Sequence, residues 1–243
     1  MRSIDFKVLE NISYKDYFIL KLYYDEQLDI RPGQFVNIDV YSKFLRRPIS
    51  VYDYQDKILL LTIRINGDGT NLLSKLKKDD IVNILLPLGN GVDLNEYDDE
   101  ILLIGGGIGV APLMYCLKIA KLNGLKVTCV LGYRDREHEI LLDQFKDNCD
   151  NVYVSYDSDN ENVVDIIKKE NLYDKKFFCC GPMAMMREVS KICKDGYFSL
   201  ESRMGCGIGT CMCCSTSFKD GRKRICKDGP VFNKEEIIWE NLM

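Results

Sequence analysis

The sequence is poor in the features that would mark many function classes. It has one histidine and one tryptophan. It has no apolar run of the roughly 18 residues that a membrane-spanning helix needs. Its acidic and basic residues are interspersed, with no basic stripe, and the net charge of -4 with a pI near 5.3 disfavours a nucleic-acid partner. Internal repeats and low-complexity tracts are absent. The N-terminal stretch MRSIDFKVLENISYKDYF is charged and broken by polar residues, unlike a secretory leader. The expectation is a cytoplasmic, non-membrane chain, large enough at 243 residues for one or two domains and a small appendage. His138 opens a polar helix and reads as a surface or capping residue. Trp239, near the end, reads as a packing anchor or a partner contact.

Cysteine, by contrast, is abundant, at eleven residues. Without a leader, these thiols do not read as a disulfide framework, because a reducing compartment keeps them free. Cys116, Cys129, Cys149, Cys179, Cys180, Cys193 and Cys213 are scattered or sit in apolar contexts, where a cysteine acts as a small hydrophobe. The remaining four form one pattern, Cys206-x4-Cys211-x2-Cys214-x11-Cys226, around the stretch MGCGIGTCMCC. That is the ligand spacing of a plant-type [2Fe–2S] cluster. Four thiolates must converge on a small inorganic core, so the backbone has to wrap closely. Gly205, Gly207 and Gly209 permit the positive φ angles required. Wrapping also aims amide N–H groups at the sulfurs. A structural zinc site and a redox-active Cys211-x-x-Cys214 remain alternatives, though zinc sites usually take two C-x2-C pairs. Cys213 reads as a bystander beside Cys214.

Three styles of sequence follow one another. Residues 1–96 carry short strands rich in β-branched and aromatic residues (FKVLENI, YFILKLYY, QFVNIDV, KILLLTIRI, DIVNILLPL) separated by turn signals. They predict a small antiparallel barrel, with one short helix at TNLLSKLK. Residues 97–196 alternate strands (EILLIGG, KVTCVLGYR, NVYVSYD, KKFFCCG) with helices (VAPLMYCLKIAKLNG, HEILLDQFKDN, VVDIIKKEN, PMAMMREVSKICKDG), which predicts a parallel sheet covered on both faces. Residues 197–243 show little periodicity beyond a hairpin at STSFKDGRKRICKDG, and so small a segment needs a staple.

Four further signals carry chemistry. Arg47-Pro48-Ile49-Ser50 ends a strand and offers a guanidinium fork for phosphate and a hydroxyl for a ring edge or phosphate. Gly69-Thr70 opens a short helix, where free N–H groups favour an anion. Gly105-Gly106-Gly107-Ile108-Gly109-Val110-Ala111-Pro112 follows a buried strand, the setting of a phosphate-binding turn, with Pro112 suited to the first helical turn. Cys180-Gly181-Pro182-Met183 ends another strand, at the sheet edge where open α/β folds bind ligands. Each has a plain structural alternative as an ordinary turn, cap or packing glycine.

RPIS, GT, GGGIGVAP and CGPM, in this order over residues 1–196, resemble the ferredoxin–NADP reductase superfamily. With ESRMGCGIGTCMCC and CKDGPVF behind them, the whole chain resembles the electron-transfer subunits of NAD-dependent (class B) dihydroorotate dehydrogenases. Flavin subunits of ferredoxin:NADP transhydrogenases, sulfide dehydrogenases and some hydrogenases share the plan.

The resemblance implies FAD bound by Arg47, Pro48, Ile49, Ser50, Gly69 and Thr70, with Ile63, Arg64 and Ile65 alongside the flavin. It implies NAD facing Gly105, Gly106, Gly107, Gly109 and Pro112, and approaching Cys180, Gly181 and Pro182, though packing is an equal reading for Cys180. It further implies a [2Fe–2S] cluster on Cys206, Cys211, Cys214 and Cys226. The implied partner is an FMN-containing catalytic subunit in a heterotetramer of two plus two. Electrons would run from that FMN through the cluster and FAD to NAD+. No acid–base residue is expected, because the cofactors carry the chemistry. Arg134 and Arg136 could make a basic pocket for a 2′-phosphate, but Asp135 and Glu137 intervene, and NAD is the expected nucleotide.

Overall fold

A computed structural model describes residues 1–242. The N-terminal part forms one antiparallel sheet of seven strands: β1 (Arg2–Ser13), β2 (Tyr17–Tyr23), β3 (Phe35–Ile38), β4 (Arg47–Ser50), β5 (Asp53–Gln55), β6 (Ile58–Arg64) and β7 (Ile81–Leu88), in the order β4-β3-β7-β1-β2-β6-β5. Alternation along the strands sorts the two faces. Phe18, Leu20 and Leu22 of β2 lie opposite Ile63, Leu61 and Leu59 of β6, and all six fill the inner core. The residues between them face outward, and there Tyr17, Ile19 and Leu60 pack into the junction with the next domain. The short helix expected near TNLLSKLK is α1 (Asp68–Leu73). Strand β4 is a sheet edge, so the outer side of its backbone is free of ladder partners, and Pro48 is tolerated there.

The second part carries β8 (Glu100–Gly106), α2 (Ala111–Leu122), β9 (Lys126–Tyr133), α3 (Leu142–Asn148), β10 (Asn151–Tyr156), α4 (Val163–Lys169), β11 (Phe177–Cys180), α5 (Met183–Ile192) and β12 (Gly196–Ser199). The strands pair in parallel in the order β10-β9-β8-β11-β12. Both faces are covered. Ile101 and Leu103 of β8 pack with α2 and α3 and with the outer face of the N-terminal sheet, whereas Leu102 and Ile104 pack with α4, α5 and the C-terminal segment. The junction with the N-terminal sheet is also polar: Lys118 of α2 pairs with buried Asp53, Tyr52 bonds Gln144, and the Tyr115 hydroxyl donates to the Ile30 carbonyl at 2.8 Å.

The C-terminal segment contributes β13 (Ser215–Phe218), β14 (Gly221–Arg224), α6 (Ile225–Asp228) and β15 (Val231–Asn233). The first two form the expected hairpin. Strand β15 adds antiparallel to β12, completing a six-stranded sheet. The boundary drawn at residue 197 therefore falls inside β12, a strand too short for periodicity to reveal. The helix expected from His138 starts later, at Leu142. Asp135 caps a separate short turn by accepting from the N–H groups of Glu137 and His138, and Leu141 takes a left-handed φ of 57°.

Of the scattered cysteines, Cys116, Cys129, Cys179, Cys180 and Cys193 are buried, Cys149 is half-buried and Cys213 is exposed. Cys213 thus departs from the small-hydrophobe reading. The sulfurs of Cys129 and Cys149 lie 2.9 Å apart. No helix among the described residues is long and apolar enough to cross a membrane.

Candidate functional site

Two cavities meet at the junction of the N-terminal sheet and the α/β domain. The smaller, about 440 Å³, is walled by Pro48, Ile49 and Ser50 on one side and by Gly109, Pro112 and Cys180 on the other. The larger, about 930 Å³, opens beside Gly106, Gly107 and Pro182 at the carboxyl edge of the parallel sheet. Arg64, at the end of β6, lines both. The glycine-rich turn and the Cys-Gly-Pro turn each serve both cavities, so ligands in the two would approach one another there.

The two turns are in contact because Gly109 has no side chain. A Cβ at that position would stand 2.6 Å from the Cys180 carbonyl oxygen and from the Gly181 Cα. Gly181 has the complementary constraint, since its Cβ would fall 2.9 Å from the Gly106 amide nitrogen. Gly105 is buried, and a Cβ there would press on Leu113 and Val110 at 2.8 Å, so its role is strand–helix packing. The Cys180 thiol is buried in the smaller cavity's wall. Burial first, and then the nearby Glu201 carboxylate, push it up to about 12, so it stays protonated at neutral pH.

On the sheet side, Arg47 donates to the Leu45 carbonyl at 2.5 Å and lays its guanidinium against Gly69, where any Cβ would collide with it. No carboxylate pairs with it among the described residues. This leaves the fork available to an anion at the start of α1. Thr70 is committed locally: its hydroxyl accepts from the Asn66 N–H at 2.7 Å and donates to the Gly67 carbonyl at 3.2 Å. Of the stretch 63–65, Ile63 and Arg64 line the smaller cavity, although the Ile63 side chain packs into the inner core, whereas Ile65 is exposed and lines neither cavity. Thr62, Ser199 and Glu201 also line the smaller cavity and were not anticipated. Glu201 is exposed at the surface, yet the protein atoms crowded around its carboxyl raise it above its ordinary range by desolvation.

In the larger cavity, Arg134 and His138 lie on the rim with Asp157 and Lys168. His138 is tied to Asp135, Nδ1 to Oδ1 at 2.6 Å. Arg136 is not in the wall. It pairs with Asp159 at 2.9 Å and sits over the Tyr156 ring, leaving Arg134 as the one arginine of the pair that faces the cavity.

The cysteine loop wraps as its chemistry requires. The Cys206 sulfur accepts from the N–H groups of Ile208 and Cys211, both at 3.4 Å. The Cys211 sulfur accepts from the Cys206 N–H at 3.3 Å, and the Cys214 sulfur from the Cys226 N–H at 3.4 Å. Gly207 and Gly209 have φ of 71° and 85°. Gly205 does not have a positive φ; it matters through proximity, its absent Cβ lying 3.1 Å from the Cys211 sulfur.

The four ligand candidates form two pairs. Cys206 and Cys211 lie toward the surface, whereas Cys214 and Cys226 are buried, in the same apolar cluster as Phe218, Ile225 and Phe232 of the C-terminal segment. Among the described residues no three His, Cys, Asp or Glu side chains stand close enough together to hold one metal ion. Two pairs of thiolates suit two irons better than one zinc. Burial raises the Cys206 thiol, but amide donors from Cys211 and Ile208 outweigh it and bring it to about 6. Burial and then the Cys214 sulfur push Cys226 up to about 12, so this thiol needs a cationic partner to ionise. The donor set therefore fits a binuclear cluster. The Asn37 side-chain amide, on β3, donates to the Cys206 carbonyl at 3.2 Å and joins the loop to the N-terminal sheet.

A curled antiparallel sheet, a parallel α/β domain and a ligand cleft between them define the fold of flavin- and pyridine-nucleotide-dependent reductases. A ferredoxin–NADP+ reductase from Neisseria gonorrhoeae, solved with bound FAD and NADP, superposes with a TM-score of 0.68 over 79% of this chain and 90% of that one, at 15% identity. The NADH-dependent reduced ferredoxin–NADP oxidoreductase, studied for flavin-based electron bifurcation, matches with a TM-score of 0.86 at 29% identity, over 98% of this chain and 91% of that one.

Residues 201–238 match the family model described as the iron–sulfur cluster binding domain of dihydroorotate dehydrogenase B. The electron transfer subunit of dihydroorotate dehydrogenase B (NAD(+)) from Clostridium acetobutylicum is 36% identical, with 96% of each chain covered. Its counterpart from Fusobacterium nucleatum subsp. nucleatum is 36% identical over 99% of this chain and 100% of that one. The chain belongs to the family of dihydroorotate dehydrogenase B electron transfer subunits.

Proposed function

We propose that this chain connects a dihydroorotate-oxidising catalytic subunit to NAD+ in pyrimidine biosynthesis. It holds FAD in the smaller cavity, NAD(H) in the larger one and a [2Fe–2S] cluster on Cys206, Cys211, Cys214 and Cys226. The partner carries FMN, the assembly contains two subunits of each kind, and it works in the cytoplasm. The observation that carries this reading is that the two cavities share Arg64 and are lined by successive residues of the same two turns, Gly106, Gly107 and Pro182 in the larger and Gly109 and Cys180 in the smaller.

A flavin takes the two electrons of a hydride together and releases them singly, which an iron–sulfur cluster cannot do alone. The chain's residues supply the positioning. Arg47 and the start of α1 hold the phosphate side of the flavin. The contact between Gly109 and the Cys180–Gly181 backbone fixes the separation of the two cavities. The neutral Cys180 thiol packs at their meeting point without adding charge. The inner cysteine pair anchors the cluster in the core, and the outer pair leaves one edge toward the surface for the partner.

The test is reconstitution. The two subunits together should reduce NAD+ with dihydroorotate, and this chain alone should not. Dihydroorotate oxidation by this chain alone would overturn the division of labour. The likeness to the ferredoxin-linked oxidoreductase across 98% of the chain supports a second reading, a reductase flavin subunit serving ferredoxin, a hydrogenase or a sulfide dehydrogenase. Exchange of electrons with reduced ferredoxin, and none with the dihydroorotate-oxidising partner, would favour it.

A further inference from the structure

Thr62 lies near the end of β6, where its neighbours Leu61 and Ile63 point into the inner core. Alternation therefore turns Thr62 to the outer face, opposite Ile19 of β2 and in line with Arg64. That face forms one wall of the smaller cavity, and Thr62 lines it together with Ser50. The residue is 6% exposed, and its hydroxyl has no hydrogen-bond partner among the described residues.

The other unpartnered buried polar atoms differ. Asn11, Asn37 and Asp53 are each engaged through their second polar atom, and Ser215 lies beside the cluster loop, outside the cavity wall. A buried hydroxyl left unsatisfied is costly, and native structures rarely keep one without a use. A valine would fill the same space without that cost, so the hydroxyl points to a partner that enters the cavity.

We propose that the Thr62 hydroxyl hydrogen-bonds a heteroatom of the flavin ring and is a positioning residue for that ring. The inference rests on the flavin reading given above. It concerns the ring rather than the phosphates, because Thr62 lines the same cavity as Arg64 and Cys180, whereas Arg47 and Gly69 line neither cavity. The phosphate side is instead marked by Arg47 and Gly69.

The experiment compares the full-length wild type with Thr62→Val and Thr62→Ser. It measures FAD affinity by titration of the apoprotein, the visible absorption envelope of the bound flavin, and apoprotein melting. Thr62→Val should bind FAD about two- to tenfold more weakly, as expected for one neutral hydrogen bond, and shift the flavin envelope. Thr62→Ser should restore both. The Thr62→Val apoprotein should melt no lower than wild type. Wild-type FAD affinity and envelope in Thr62→Val would overturn the proposal. So would a lower apoprotein melting point, which would reveal a protein partner for the hydroxyl. Failure of Thr62→Ser to restore binding would overturn it too, by assigning the effect to the methyl group. If wild-type protein itself bound no FAD, the flavin reading would fall, whereas equal binding by wild type and Thr62→Val would remove only the role of Thr62.

Discussion

The cleft and the cysteine loop hold their ligands by opposite means. The cleft lies between two domains that share a packed apolar junction, and its glycine turns are fixed from both sides by strand ends and helix starts. The loop is a short wrap of backbone around sulfur, joined to the rest by Asn37, by β15 on the sheet edge and by buried Cys214 and Cys226. A scaffold that large keeps its shape without a ligand. A loop whose buried Cys226 thiol is pushed up to about 12 needs metal to take its working charge state. Damage to one site should therefore leave the other intact.

The largest effect should come from Cys226→Ala. Loss of a buried ligand should cut electron transfer to the partner by more than about a hundredfold, beyond what outer-sphere changes cost at metal sites. FAD content and NADH-driven reduction of a small dye should survive. Loss of flavin as well would break the comparison. Next, Gly109→Ala should push the two turns apart, because the new methyl would meet the Cys180 carbonyl at 2.6 Å. A displacement approaching 1 Å costs on the order of a hundredfold in rate, read as slower flavin reduction by NADH in stopped flow. The cluster's electron paramagnetic resonance signal should not change.

Smaller effects concern the frame. Lys118→Met strands the Asp53 carboxylate, which is only 6% exposed, at the junction of the two domains. Because Lys118 itself is partly solvated, the loss of unfolding free energy should be about 1–3 kcal/mol in denaturant titration. Arg136→Ala removes a surface pair and a ring contact at the cavity's periphery, with a stability change of about 1 kcal/mol or less and the NADH affinity nearly unchanged. A large loss of NADH affinity would show that Arg136 reaches the nucleotide after all.

What was legible in the sequence was local chemistry. The cysteine spacing, the Gly-Gly-Gly turn after an apolar strand and the alternation in both domains each constrain a few neighbouring residues, and each is found in the fold. What escaped depends on distant partners. Strand β12 is four residues long and is defined by β11 on one side and by β15, some thirty residues later, on the other. That is why the third segment looked separate from the α/β sheet. Thr62 reads as an ordinary strand residue until its outward face is seen to line a cavity. Ser199 and Glu201 gain meaning only because β12 ends at that same wall. Gly205 and Thr70 show the converse: residue types suited to one role were used for a neighbouring one.

The most direct test is a rapid-mixing experiment on the anaerobic, partner-free protein, with flavin absorbance and low-temperature electron paramagnetic resonance read together after NADH is added. The account predicts that the flavin bleaches and that the signal of a reduced [2Fe–2S] cluster then grows. Flavin reduction without any iron–sulfur signal, in protein that carries zinc or no metal on the four cysteines, would contradict it.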